Sequence, residues 1–216
     1  MESIIHSLRD ITIRSISVSE MNNNVYLLTS KASGAQLLID AADDLPAIQA
    51  MLADSAADTT AEPRLVQIAT THQHWDHVRA LPGLVKATGA RTSAGADDAP
   101  ELPVPVDVVL DHGDVSTFDG IEVTAVHLRG HTPGSIAFVY EDPEGPAHIF
   151  SGDSLFPGGV GNTGNDPVRF TSLLDDVTER LFEAYPDDTV VHPGHGAPTT
   201  LGAERPHLAE WRARGW

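Results

Sequence analysis

The chain has 216 residues and no cysteine, so disulfides, zinc–thiolate sites and a cysteine nucleophile are excluded, and the length suits one large domain with its own core. Thirty-one acidic against thirteen basic side chains give a formal net charge of −18 with no Lys/Arg cluster, which excludes nucleic acid as the expected partner. No run reaches the ~18 apolar residues of a membrane helix, and the opening MESIIHSLRD lacks the basic flank and apolar stretch of a signal peptide. The expectation is a soluble, cytoplasmic protein with no membrane partner.

In chain order, β-rich apolar runs over 11–18, 25–29 and 36–39 predict strands. A helix is expected over 47–53, with Pro46 at its start. Residues 65–69 read as a strand and 77–86 as a helix weakened by Pro82 and Gly83. Strands follow at 106–110, 121–128, 135–140 and 148–150, divided by turn residues. The stripe Leu173, Leu174, Val177, Leu181, Phe182 predicts a helix over 171–184, capped by Thr171. A strand at 189–191 and a helix over 204–213 close the chain. With no linker or repeat, this alternation predicts a layered α/β domain over residues 1–216.

Histidines carry the stronger signal. Thr70-Thr71-His72-Gln73-His74-Trp75-Asp76-His77 follows directly on the strand ending at Ala69. His72 and His74, two apart on a loop, can converge on one metal ion, and the Asp76-His77 pair can face a second. Without sulfur the donors are nitrogen and oxygen only, a set suited to Zn²⁺ or Fe²⁺. His131 lies in Arg129-Gly130-His131-Thr132-Pro133-Gly134-Ser135, Asp153 in Ser151-Gly152-Asp153-Ser154, and His195 in His192-Pro193-Gly194-His195-Gly196. Each sits just past an expected strand, where loops gather into sites.

The series HxHxDH, GHTPGS, GDS and PGHG resembles the metallo-β-lactamase superfamily, and within it the glyoxalase II-like hydrolases. The resemblance implies a four-layer αββα sandwich of two mixed β-sheets flanked by helices. It implies two divalent metal ions, zinc or else iron or manganese. His72, His74 and His131 would hold the first ion, Asp76, His77 and His195 the second, and Asp153 would bridge them. A hydroxide shared by the ions would attack a thioester or ester of a small molecule, with Asp76 both ligating and orienting it. His192 competes with His195, but only His195 matches the family position. His127 is expected as a packed strand histidine, and His6, His112, His148 and His207 as ordinary ones. Trp75 is expected to pack under the metal loop, and Trp211 and Trp216 to make core or subunit contacts.

Within the superfamily, true β-lactamases usually carry Cys or Ser where Asp153 stands, and acyl-homoserine lactonases a tyrosine where this chain has Phe156. RNA-processing members need a polyanion, and flavodiiron proteins a flavodoxin domain for which 216 residues leave no space. Two readings survive: a glyoxalase II-like thioester hydrolase, and a persulfide dioxygenase with one iron on His72, His131 and Asp153. Trp75 between the ligands tilts toward hydrolysis. Glyoxalase II proper continues through Gly-Cys-Gly to a Lys or Arg that contacts the glutathione carboxylate, whereas this chain reads Gly159-Val160-Gly161-Asn162. Only 16 residues follow Thr200, enough for one helix where those enzymes carry a helical C-terminal domain.

Overall fold

Period-two burial builds the molecule. In a computed structural model, which describes residues 3–215, odd positions of the first long strand (Ile11, Ile13) face a second sheet while even positions (Ile16, Val18) face helices. That first sheet has seven strands in chain order: β1 (Ile4–Ser7), β2 (Ile11–Val18), β3 (Asn23–Ser30), β4 (Ala35–Ile39), β5 (Arg64–Ala69), β6 (Arg91–Gly95) and β7 (Val108–Leu110). Pairing is antiparallel from β1 to β4 and parallel from β4 to β7. Helices α1 (Leu45–Asp54) and α2 (Leu81–Thr88) cover its outer face through Ile48, Met51, Leu81 and Leu84.

The second sheet is formed by β8 (Val115–Phe118), β9 (Ile121–His127), β10 (Ile136–Glu141) and β11 (Ala147–Gly152), and beyond the small hairpin β12 (Leu155–Phe156) and β13 (Gly159–Val160) by β14 (Val190–Pro193) and β15 (Thr199–Thr200). β11 and β14 run parallel and the other neighbours antiparallel, so this sheet is mixed too. α3 (Pro167–Val177), α4 (Leu201–Glu204) and α5 (Leu208–Arg214) pack on its outer face, with Leu173, Leu174, Val177 and Trp211 buried there. Phe138, Phe150, Leu28 and Leu37 fill the space between the sheets. Each such fully buried apolar side chain contributes about 1.5–3 kcal/mol. The expected αββα sandwich is the fold, and among the described residues no helix is long and apolar enough to cross a membrane.

Several boundaries differ from expectation. His77 does not start a helix: Trp75–His77 is a single 3-10 turn, and α2 begins at Leu81 with Pro82 in its first turn, where the missing N–H costs nothing. Thr171 is not the cap of the long helix. Asp166 is, accepting from the amides of Val168 and Arg169, and the helix ends in a wide turn at Thr178–Phe182. The last helix is broken by a 3-10 turn at Arg205–His207, around Pro206. Trp211 is core, 6.4 Å from Phe182 between ring centroids, while Trp216 lies outside the described residues.

His6 and His148 are not the unsupported histidines the sequence suggests. Together with His192 they meet between the sheets, their ring centroids 5.2–6.2 Å apart. His148 Nδ1 and His192 Nε2 share a hydrogen bond of 2.9 Å within nearly parallel rings, and His192 stacks on Phe150. Burial, reinforced by the neighbouring imidazoles, pushes His148 down to about 4 and His192 to about 3 from 6.5. Below pH 6.5 the unfolded chain therefore binds protons that the folded pair refuses. The stability of the neutral pair is complete above that pH and is lost as pH falls toward about 4 and 3. Urea midpoints across this range should fall more steeply for the native protein than for the double variant His148→Leu/His192→Phe. Parallel curves would remove the pair from the account.

Candidate metal centre

The two sheets are stitched together at one edge. Ile136 N of β10 donates to Thr71 O and Asn24 N of β3 to Gly194 O, each at 2.8 Å, while Gly194 N is anchored within the second sheet on Gly152 O, also at 2.8 Å. A bridge between Asn23 and His195 completes the seam. The loops that leave β5, β9, β11 and β14 emerge here, and they carry all seven residues singled out from the sequence. Possible donor atoms of His72, His74 and His131 lie within 4.8 Å of one another, as do those of His72, His77 and Asp153, and of Asp76, His77 and His195.

Hydrogen bonds behind the rings fix which nitrogen faces inward. Thr71 Oγ1 spends its one proton on Asp40 Oδ2 (2.8 Å), so at 3.0 Å it accepts from His72 Nδ1. His77 Nδ1 donates to Asp40 Oδ2 (3.0 Å), His131 Nδ1 to Asn162 O (2.8 Å) and His195 Nδ1 to Met21 O (2.9 Å). All four rings thus turn an Nε2 lone pair toward the centre. His77 Nε2 and His195 Nε2 face each other at 3.1 Å, an arrangement relieved only by a shared proton or a cation. His131 Nε2 lies 2.9 Å from His74 Nδ1. His72 Nε2 and Asp153 Oδ1 are buried without any hydrogen-bonding partner. Lone pairs aimed at one point, with two orphaned donors among them, fit divalent metal ions.

Asp153 occupies the middle. Its Oδ2 is 3.6 Å from His131 Nε2 and 3.5 Å from His195 Nε2, and its Oδ1 is 3.4 Å from His77 Nε2. Burial alone would raise its carboxyl, but His195 and His77 hold it well below the carboxylate range. Burial likewise opposes charge on His77, yet Asp153 and Asp40 raise it to about 10, so the centre favours positive charge. At His72 burial dominates and keeps the ring neutral. Asp76 Oδ2 accepts from Asn23 Nδ2 at 2.9 Å and lies 3.4 Å from His195 Nε2. Gly194 is required by space: a Cβ there would run into Asp153 Oδ1 and come within 2.8 Å of His77 Cε1.

Other expectations are revised. Trp75 does not pack under the loop. It is 60% exposed, with the Arg79 guanidinium 3.9 Å above its ring and held by Asp43. His127 is not simply packed on its strand, because its Nε2 donates to Pro133 O (2.7 Å) in the loop that carries His131. His192 points into the inter-sheet core, away from the centre. Asp40 and Asn23 escaped the sequence reading. The one available hint at Asp40 was an acid placed directly after the apolar strand β4.

A four-layer sandwich whose sheets join at one edge around a sulfur-free histidine–aspartate cluster defines a class of metal-centred α/β proteins. The chain belongs to the metallo-β-lactamase superfamily, whose family model matches residues 18–195. It is 35% identical over 176 residues to the hydroxyacylglutathione hydrolase of Fuscovulum blasticum, covering 81% of this chain and 62% of that one. A second such hydrolase, from Pseudomonas putida, is 38% identical over 140 residues, 65% of this chain and 50% of that one. The chain thus spans less than two-thirds of these relatives' length. Among solved structures, TTHA1623 in a di-iron-bound form is 33% identical, with a TM-score of 0.69 over 88% of this chain and 96% of that one. ETHE1 from Myxococcus xanthus is 27% identical, with a TM-score of 0.77 over 93% and 84%.

Proposed function

We propose that residues 1–216 form one metal-dependent hydrolase domain that cleaves a thioester or ester of a small molecule. His72, His74 and His131 would hold one divalent ion and Asp76, His77 and His195 a second, with Asp153 between the two sets. The observation that carries this reading is the pair of opposed lone pairs on His77 and His195 beside the orphaned His72 Nε2 and Asp153 Oδ1. The TTHA1623 structure, described as di-iron-bound, supports a count of two and keeps iron beside zinc and manganese as the ion. The names of the curated relatives support thioester hydrolysis.

When bound, such ions supply a water of lowered pKa and Lewis-acid stabilisation of the carbonyl oxyanion. The protein's own part is positioning. Asn23 Nδ2 fixes the Asp76 carboxylate, which would orient the attacking water by accepting its hydrogen bond. Asp40 locks the His72–His77 loop by taking Thr71 N, Thr71 Oγ1 and His77 Nδ1. The carrier arm of the substrate lies in a cavity of about 320 Å³ lined by Val160, Gly161, Asn162, Thr163 and Asn165, next to His131.

Chelation should abolish activity, and reloading with zinc, manganese or iron should restore it to two ions per chain, with thiol and acid released in equal amounts from a thioester. The alternative is the mononuclear iron persulfide dioxygenase, to which the likeness to ETHE1 lends some support. Oxygen uptake on a persulfide with a single iron, and no thioester cleavage, would establish that reading instead.

A further inference from the structure

Asp98 follows β6 and is fully buried, yet it takes no part in the centre itself. Its carboxylate joins the two loops that meet at the first-ion position. Oδ2 accepts from Gln73 N (2.9 Å), between His72 and His74, and from Thr132 Oγ1 (2.6 Å), the residue after His131. Oδ1 accepts from Gly134 N at 2.7 Å. Contact between the loops is backbone-close, since a Cβ on Gly134 would collide with Asp98 N and approach its Cβ to 2.9 Å. The other subsite is held by different groups: Asn23 on Asp76, Asp40 on His77 and Met21 O on His195. Asp98 touches none of these in the bonds described.

We propose that Asp98 is a positioning residue specific to the His72–His74–His131 subsite, setting the spacing of the two ligand loops through one shared carboxylate oxygen. A buried carboxylate with three hydrogen bonds and, among the described residues, no ion pair is costly to retain as packing alone. Its role is to bring His74 and His131 to one point, where their nitrogens stand 2.9 Å apart. Asp40 reaches both subsites, His77 directly and His72 through Thr71 Oγ1, whereas Asp98 and Asn23 each bond to the loops of one subsite and so can be varied separately.

This inference rests on the binuclear reading above, and the test separates the two. The metal-free native protein, Asp98→Asn and Asn23→Ala are titrated with Co²⁺ against a competing chelator, following the cobalt absorption and the thermal midpoint. The native protein should show two binding steps. Asp98→Asn should weaken one of them by roughly ten- to a hundredfold and leave the other, and Asn23→Ala should weaken the other one. If Asp98→Asn fails to fold, Thr132→Val removes one bond to the same oxygen and is judged by the same pattern. Equal weakening of both steps, or the same step lost in both variants, would reduce Asp98 to a structural residue. Unchanged steps in Asp98→Asn beside a normal native protein would overturn Asp98 alone. A native protein that binds fewer than two ions would overturn the binuclear reading, and Asp98 with it.

Discussion

Replacing Asp153 with alanine is expected to lower turnover by roughly a thousandfold or more and to reduce metal content well below that of the native protein. The carboxylate lies within 3.4–3.6 Å of inward nitrogens from both halves of the cluster: His131 on one side, His77 and His195 on the other. It is held anionic against the burial that would neutralise it. Among the described imidazoles, Asp76 Oδ2 faces only His77 and His195, at 3.6 and 3.4 Å, so it does not replace the link to His131. Alanine would leave three imidazoles without their shared counter-charge, so the loss should be cooperative rather than confined to one ion. His192→Phe is the contrasting variant: it removes the bond to His148 between the sheets but should leave metal content near native. Metal analysis and steady-state rates on both proteins decide the matter. Full occupancy and rate in Asp153→Ala would rule out the shared role.

The inward-facing cluster was legible because its donors are chemically rare and concentrated: four of the seven lie in the six residues 72–77. Strands with clean alternation, such as β2, were legible for the same reason, a period that only one structure satisfies. β6 was not, because Arg91–Gly95 carries small and polar residues. Its burial comes from lying between β5 and β7, and it has no apolar pattern of its own. The supporting groups were equally silent. Asp40, Asn23 and Asp98 act across 25–53 residues of sequence, and only tertiary closure of the loops gives their carboxylates and amides a partner. The His148–His192 pair was missed for a related reason: the two rings meet only because β11 and β14 run parallel in register, His148 opposite Val190 and Phe150 opposite His192.

S-lactoylglutathione is expected to be a poor substrate compared with a thioester of the same acyl group on a neutral carrier, despite the names of the curated relatives. Where glyoxalase II proper places a Lys or Arg for the glutathione carboxylate, this chain has Asn162. Its backbone carbonyl accepts from His131 and its side-chain oxygen from Gly164 N at 2.7 Å. The cavity beside it has no charged side chain in its lining. Arg169, which approaches Gly164, is already engaged with the carbonyls of Gly130 and His131. A hydrogen bond to a charged group is worth about 1.5–3 kcal/mol, which amounts to roughly ten- to a hundredfold in affinity. The formal charge of −18 adds unfavourable long-range repulsion for an anionic tripeptide, screened at physiological salt. KM for S-lactoylglutathione should therefore exceed that of the neutral-carrier thioester by at least about tenfold, with a smaller difference in kcat. Asn162→Lys should narrow the gap by lowering KM for the glutathione substrate, because an exposed side chain at this position reaches the cavity mouth while the carbonyl support of His131 stays in place. Steady-state kinetics of both proteins on both thioesters test it. A low-micromolar KM for S-lactoylglutathione in the native protein would sink the argument, because the cavity would then be binding the carboxylates without the cation.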